Sequence, residues 1–461
     1  MSDFLFENFP SISSKQWKQK IQFDLKGLDY NDTLLTSTNE GIRIKPFYHN
    51  DSFKSLDFNV TDSKKTDICQ NFFVNDVKTA NFLAVKALKK GVDSVKFIAD
   101  KSFDINLLLK GLDDIDIYFQ FSFLDEDFLL KLIDHGKKRK IFLNVDLIGN
   151  LSKTGNWFFN NKKDHEVLKA LLLRSVETVS IIGIDLVNYK NAGANTVQEV
   201  AYALAHANEY LNFIFDLNIK KELSLSEIEN IIKNIFFSFA QGGNYFFEIA
   251  KLRAFQYLWK LLLNEYQIES QAIIMAEPSF RNKTLYDYNA NLLRSTTESM
   301  SGILGGANVI CNHAYDVVFH RKNEFGERIA RNQLIILKEE SHITNSEATS
   351  GSYYIEELTF EIAEKALEIF KEIERSGGFV KQLFDGTIQR KIKENAIKEQ
   401  RQFDSGEIVL LGTNKYVNKE DKMKNELELY PFVKKKNGKT EIQPIIAIRL
   451  AEVMEKKRLD K

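Results

Sequence analysis

Residues 115–146, IDIYFQFSFLDEDFLLKLIDHGKKRKIFLNVD, carry the pattern that decides the fold. An aromatic and β-branched run, Ile115–Phe121, is followed by helical spacing over Glu126–Lys138 and then by a second apolar run, Ile141–Asp146. A strand buried on both faces reads as a near-continuous apolar run, whereas a helix lying on a sheet shows the 3.6-residue period. Strand, helix, strand in that order predicts a parallel βαβ unit. Outward from it the alternation repeats. Ser94–Ile98, Thr178–Gly183, Phe236–Ala240, Ala272–Met275 and Asn308–Cys311 read as further strands. Asp76–Lys90, Asp164–Arg174, Asn195–Phe213, Phe246–Leu263 and Asn291–Leu304 read as helices among them. In the first of these, Ala80, Leu83, Ala84, Ala87 and Leu88 share one face, which predicts burial against an apolar surface. Seven or eight such units suggest an α/β fold of (β/α)8 TIM type more than an open sheet, although the count alone does not separate the two.

The flanks complete the expected organisation. Residues 1–65 read as an extended N-terminal arm, 66–400 as the barrel, and 401–461 as a C-terminal helical and linker extension. Only Pro278 lies between Pro46 and Pro431, so regular structure can run through that stretch. The polar segment Tyr416–Asn437, with the Lys434-Lys435-Lys436 run, reads as a solvated connection. With 63 basic and 64 acidic side chains in 461 residues, the chain has no electrostatic footprint for nucleic acid or an anionic membrane. Two cysteines, Cys69 and Cys311, exclude a disulfide scaffold and suit a reducing compartment. The N-terminus lacks a basic-then-apolar leader, and no apolar run reaches the ~18 residues of a membrane span, so a cytoplasmic protein is expected.

Familiar chemical motifs are missing: HExxH, paired CxxC, GxxxxGK[ST] and GxSxG do not occur. Gly242-Gly243 and Gly305-Gly306 read as turns or close packing. No two of the seven histidines form an i,i+4 ligand pair, so no metal site is expected. Asp134-His135-Gly136 closes a helix, with Gly136 as its cap. Three polar groups stand out: Asn191 to Asn195 before a helix, Glu248 with Lys251 and Arg253, and Asn289, Asn291, Arg294, Thr297 and Glu298. For the second, an i,i+3 ion pair on a helix is the plainer reading.

Longer runs are more specific. NAGANTVQEVAYALAHANEYL (191–211), NYFFEIAKLRAFQYLW (244–259), EPSFRNKTLYDYNANLLRSTTESMSGILGGAN (277–308) and TSGSYYIEELTFEIAEKALEIFKEIERSGGF (349–379) resemble the barrel domain of methylmalonyl-CoA mutase. The opening IQFDLKGLDYNDTLLTSTNEGIRIKPFY (21–48) and RLAE (449–452) fit the same family. The resemblance, from about Trp17 to Glu455, implies a (β/α)8 barrel with an acyl-CoA threaded along its axis. In the family's catalytic subunits a further domain holds cobalamin through Asp-x-His-x-x-Gly. Homolysis of the cobalt–carbon bond there starts a radical rearrangement.

Departures from the catalytic pattern are concentrated at three places. Ile-Arg-Gln-Tyr-Ala-Gly stands here as Ile68-Cys69-Gln70-Asn71-Phe72-Phe73, so Cys69 and Asn71 replace Arg and Tyr. Aligned on Ala192-Gly193-Ala194, a strand-end Tyr-His pair becomes Val187-Asn188, the following glutamate becomes Asn191, and Tyr189 stands close by. Near the seventh strand, Gly-Gly-x-Gln-x-x-His becomes Gly305 to Cys311, with Cys311 at the histidine position. No Asp-x-His-x-x-Gly occurs, and the chain is expected to end where a linker to a cobalamin domain would begin.

A scaffold that keeps its packing motifs and loses its polar strand ends resembles the small (beta) subunit of heterodimeric methylmalonyl-CoA mutases, in a short form. The resemblance implies a chain that is inactive alone, with vestigial positions Cys69, Asn71, Val187, Asn188, Asn191 and Cys311. It implies a large (alpha) subunit as partner, which binds adenosylcobalamin and interconverts (R)-methylmalonyl-CoA and succinyl-CoA. The alternative is a catalytic barrel served by a separate cobalamin protein; an acyl-CoA-binding or regulatory protein on a mutase scaffold is a third, against which Phe72-Phe73 suggests a blocked axis. An arm bearing Phe4, Phe6, Phe9 and Trp17 is expected to cover a partner or to fold back on the barrel.

Overall fold

Eight segments pair in parallel into a closed barrel: β1 (Asp67–Phe73), β2 (Ser94–Ala99), β3 (Ile117–Phe121), β4 (Ile141–Val145), β5 (Val179–Asp185), β6 (Phe236–Gln241), β7 (Ile273–Pro278) and β8 (Val309–Cys311). β8 closes on β1 in the register Val309–Asp67, Ile310–Ile68, Cys311–Cys69. The structure, a computed structural model, describes residues 10–52, 65–136, 139–434 and 438–460. Phe4, Phe6, Phe9, Lys138 and Lys435 to Asn437 lie outside the described residues.

Seven strands lie where apolar runs predict them. The strand missing from that pattern is β1, and its presence makes Val309–Cys311 the eighth strand rather than the seventh. Helices surround the barrel, among them Val77–Leu88, Glu126–His135, Asn161–Leu172, Thr196–Ile219, Tyr245–Glu265 and Ala290–Leu304. Their starts are chemically marked: Asp76, Asp104, Asp125, Asp146 and Asn160 each accept a backbone N–H from the first helical turn. Asp146 is thus a helix cap beyond β4, not the end of a strand.

One continuous apolar core lies between strands and helices. Phe237 packs edge-on against Phe255 and Trp259, with ring centroids 4.7 and 5.0 Å apart. On Val77–Leu88 the three alanines are buried as expected, but Leu83 is 41% exposed. It stands at the border of an apolar stripe that small residues make narrow, because alanine draws the helix close to the sheet. The two glycine pairs serve packing: a Cβ on Gly305 would come within 3.2 Å of the Ile249 carbonyl, and Gly306 has φ +89°.

The described arm consists of helix Ser14–Asp24, with no buried residue, helix Tyr30–Leu34, and a small hairpin pairing Thr36–Ser37 with Arg43–Ile44. Trp17 stacks on Phe47 of the same arm at 4.5 Å. The segment after Tyr416 is only partly solvated, since Met423 is buried with Leu285, Tyr286 and Phe319. Residues 441–450 then run over the loops that follow β4, β5 and β7, at the C-terminal end of the barrel, before helix Glu452–Leu459. No helix among the described residues is long and apolar enough to cross a membrane.

Candidate functional site

In a barrel of this type chemistry is placed at the C-terminal ends of the strands, and the interior is ordinarily a packed core. The resemblance given above implies instead an axis open to an acyl-CoA, so what fills the lumen bears on it. Successive strand residues face opposite sides, and contacts between non-adjacent strands identify the inward ones. Tyr118 of β3 touches Phe236 of β6 at 5.4 Å although β4 and β5 lie between them. Phe142 of β4 stacks on Tyr118 at 4.3 Å and tilts against Phe236 at 5.5 Å. With Cys69, Met275, Val309 and Cys311, these three rings form an apolar cluster separate from the main core. The axis is filled by aromatic side chains.

Nearer the C-terminal end the lumen turns ionic. Lys96 Nζ of β2 reaches Glu277 Oε2 of β7 at 3.4 Å, across the intervening β1 and β8. His313 Nε2 lies 3.7 Å from Glu277 Oε1, and His313 Nδ1 lies 3.4 Å from Asn71 Nδ2. Lys322 donates to the Asn71 carbonyl at 2.6 Å and also to its side-chain oxygen. Burial opposes ionisation of both members of the central pair, yet each overcomes it. Lys96 is held above its ordinary value chiefly by Glu277, and Glu277 is drawn down to about 2 by Lys96 and His313. This is a mutually neutralised bridge that crosses the lumen.

Cys69 and Cys311 meet in register at the β1–β8 seam, both buried and both free thiols. Burial pushes the Cys69 thiol up, while its hydrogen bond pulls Cys311 down. Asn144, with φ +51°, sits at an irregularity between β4 and β5; a Cβ on Gly183 would come 2.0 Å from its Oδ1, so glycine is required there.

The second group of positions departs from the strand-end expectation. β5 stops at Asp185, and Val187–Ala192 is a short helix of its own, ended by Gly193 at φ +104°. Asn188 and Asn191 are buried beneath residues 441–450. Asn188 Nδ2 donates to the Ile445 carbonyl at 2.8 Å. The Asn191 carbonyl accepts from Ile448 N at 3.0 Å, and its side-chain oxygen accepts from Ser279 Oγ and Phe280 N, both at 2.8 Å. Tyr189 points away from the lumen: its hydroxyl lies 3.2 Å from His206 Nδ1, whose Nε2 lies 2.9 Å from Asp146. Tyr210 also donates to Asp146 at 2.8 Å, and Gly149 N and Asp185 N complete its shell. Burial raises the Asp146 carboxyl, but His206 and these donors outweigh it and hold it low.

Glu248 and Lys251 do form the helical ion pair, inside a larger buried quartet. Lys190 Nζ reaches Glu199 at 3.0 Å and Glu248 at 2.9 Å; Lys251 reaches Glu199 at 3.0 Å and the Ala240 carbonyl at 2.6 Å. Two acids meet two bases, which ties the helix after β5 to the end of β6, although burial still pushes the Glu199 carboxyl up. Arg253 pairs instead with Glu356. In the third polar cluster Asn291 and Arg294 brace the Thr284 loop, and Glu298 accepts from Lys283 and Asn282 at 2.6 Å. His135 is held by the Lys131 carbonyl at 2.9 Å and Asn106 at 3.0 Å. Among the described residues no group of three or more His, Cys, Asp or Glu could hold a metal ion.

The sequence matches the family model described as methylmalonyl-CoA mutase over residues 142–457. It is 32% identical over 452 residues to the methylmalonyl-CoA mutase small subunit of Porphyromonas gingivalis, which covers 90% of this chain and 71% of that protein. The chain belongs to the methylmalonyl-CoA mutase family. It is also 27% identical to the methylmalonyl-CoA mutase of Cereibacter sphaeroides over 88% of this chain and 64% of that protein. With the enzyme of Rhizobium meliloti the identity is 34% over 52% of this chain and 33% of that protein. This chain therefore matches less than two thirds of the length of the latter two mutases.

Within this mutase-family barrel, two features escaped sequence reasoning. Phe72 faces the helix layer, against Phe97 at 6.1 Å, and Phe73 is 49% exposed at the strand end, so neither fills the axis. Tyr118, Phe142 and Phe236 do. The Lys96–Glu277 bridge was also missed, and its signal was present: a lone lysine inside the apolar run Ser94–Ile98 needs a buried counter-ion.

Proposed function

We propose that this chain is the non-catalytic small subunit of a heterodimeric methylmalonyl-CoA mutase. Its partner is the large (alpha) subunit, which binds adenosylcobalamin and interconverts (R)-methylmalonyl-CoA and succinyl-CoA in the cytoplasm. The filled lumen carries the proposal: the axis along which the family's acyl-CoA would thread is occupied by three aromatic rings and crossed by a neutralised ion pair. The positions Cys69, Asn71, Val187, Asn188, Asn191 and Cys311 are vestigial on this reading. Their side chains support it where they bond to the protein itself, as Asn71 does to Lys322 and Asn188 to Ile445.

The residues at the mouth do not fit a cobalamin. Asn188 and Asn191 are covered by residues 441–450, and the one Asp-His-Gly run ends a helix with both ring nitrogens of His135 engaged. No reaction step is assigned to this chain. Its contribution is assembly, with the described arm, rich in exposed Ile12, Trp17, Phe23 and Leu28, as the surface offered to the partner.

The test is mutase turnover with methylmalonyl-CoA and adenosylcobalamin supplied, for this chain alone and co-expressed with a cognate large subunit. Activity only in the pair, with both chains purifying in equal amounts, is the expected result. Turnover by this chain with an isolated cobalamin-binding domain would overturn the proposal in favour of a catalytic barrel.

A further inference from the structure

Residues 441–450 contain neither helix nor strand, and half of them are exposed. The apolar anchors are few: Ile442, Ile445 and Leu450 are buried, whereas Ile446 and Ile448 stay exposed. Backbone groups that a strand would pair with a neighbour must find other partners. They find them on the segments that follow three barrel strands. After β4, the Gly155 carbonyl accepts from Glu441 N and Ile442 N, and the Ser152 carbonyl accepts from Ile445 N at 2.8 Å. After β5, Asn188 donates to the Ile445 carbonyl and Asn191 accepts from Ile448 N. After β7, Arg281 donates to the Ile448 carbonyl at 2.6 Å, and its own carbonyl accepts from Leu450 N at 2.9 Å. Arg281 is itself fixed by Glu399 at 2.8 Å. The segment is fastened by point contacts rather than by a ladder or a broad apolar face.

We propose that residues 441–450 are a releasable strap over the C-terminal end of the barrel, and that the Asn188 side chain is its clasp. Asn188 is then not an inert remnant. It positions the strap, and the strap in turn covers the segments at which a catalytic barrel would receive its ligand. This inference rests on the proposed function only in taking positions 188 and 191 as free of catalytic duty. Loss of one buried hydrogen bond leaves the facing Ile445 carbonyl without a partner, a cost concentrated on the strap because the barrel's own ladders are untouched. Local opening of the strap should then become easier without global unfolding.

Hydrogen exchange on the full chain tests this. In the unaltered protein, amides of Ile445, Ile448 and Leu450 should be protected. Asn188→Asp keeps the volume and replaces the donor facing Ile445 with an acceptor; exchange across 441–450 should rise about tenfold or more. Strands β3 to β6 should exchange as before. Asn191→Ala is the comparison variant: it removes the acceptor of Ser279 Oγ and Phe280 N but keeps the backbone carbonyl that holds Ile448 N, so exchange should rise at Phe280 and stay low at Ile448. Strap amides unprotected in the unaltered protein, unchanged in Asn188→Asp, or released only together with the barrel strands would each overturn the inference. Turnover of the assembled mutase is read in parallel. A fall in turnover with the strap still protected would count against the non-catalytic reading and against the clasp, whereas unchanged turnover with a loosened strap upholds both.

Discussion

On β6, Phe236 and Phe237 are chain neighbours that face opposite ways, one into the lumen and the other toward the helices. Both are fully buried among aromatic rings, Phe236 with Tyr118 and Phe142, Phe237 with Phe255 and Trp259. Their surroundings differ in kind. The helix side is one continuous apolar core in which every residue has many substitutes for a lost contact. The lumen is a small apolar plug capped by single ionic partners, so each side chain there depends on one or two others. A shell of that kind keeps its shape whatever fills the axis. On the proposed function, this is how a family barrel retains its helix-packing runs while its lumen is rebuilt.

The sharpest way to break that contrast is to remove one half of the Lys96–Glu277 bridge. Lys96→Met leaves Glu277 buried with only His313 as a cationic neighbour and with the Asp185 carboxylate close by, and a loss of about 3–5 kcal/mol in urea unfolding is expected. Lys96→Met combined with Glu277→Met should recover most of it, to within about 1 kcal/mol of the starting protein or better. A single variant costing less than about 1 kcal/mol would mean that the lumen is hydrated and open rather than sealed.

A smaller effect separates the two faces directly. Phe236→Leu and Phe237→Leu should each cost about 1–2 kcal/mol, since one ring is exchanged for a smaller apolar group. The site of loosening should differ. Phe237→Leu should speed hydrogen exchange in helix Tyr245–Glu265, and Phe236→Leu should speed it in β3 and β4 while leaving that helix protected. Identical exchange maps for the two would show that lumen and shell form one cooperative unit.

Much of the shell was legible in the sequence because period and burial repeat locally. Seven strands followed from apolar runs; β1 did not, because Gln70 and Asn71 interrupt its run with polar groups. Their partners, Arg331 and Glu327 for Gln70 and Lys322 for Asn71, are remote in sequence. The lumen was much less legible. A strand buried on both faces shows no alternation, so Phe142 and Leu143 look alike until the register is known. The same ambiguity made Phe72 and Phe73 look like the block on the axis. Lys96 and Glu277 are 181 residues apart, and nothing local pairs them. Positions 187–191 were located through the family resemblance, but their place on a helix beneath the strap depends on residues 441–450, which lie far beyond them in the chain.

The smallest expected effect compares the two ends of the lumen through their carboxylates. Glu277, opposite Lys96, is drawn down to about 2. Asp67, at the start of β1 near the N-terminal end, is pushed up to about 6, first by burial and then by Asp93 and Asp116, against weaker help from Lys338 and Lys140. The sign follows from proton counting. Between about pH 4 and pH 6 the folded chain holds a proton on Asp67 that the unfolded chain has released, so stability falls as pH rises through that window. Below it both states are protonated and the penalty vanishes. A shift of this size corresponds to ~3 kcal/mol for a sealed group, but Asp67 is partly exposed and solvent screening reduces the expectation to about 1 kcal/mol. Asp67→Asn should therefore stabilise the protein by about 1 kcal/mol at pH 7 and leave it unchanged near pH 4, measured as urea midpoints at the two pH values. A variant that destabilises at pH 7 would place a cation against Asp67 and make the N-terminal end, like the C-terminal one, an ion-paired closure. The two ends would then differ only in the residues that seal them.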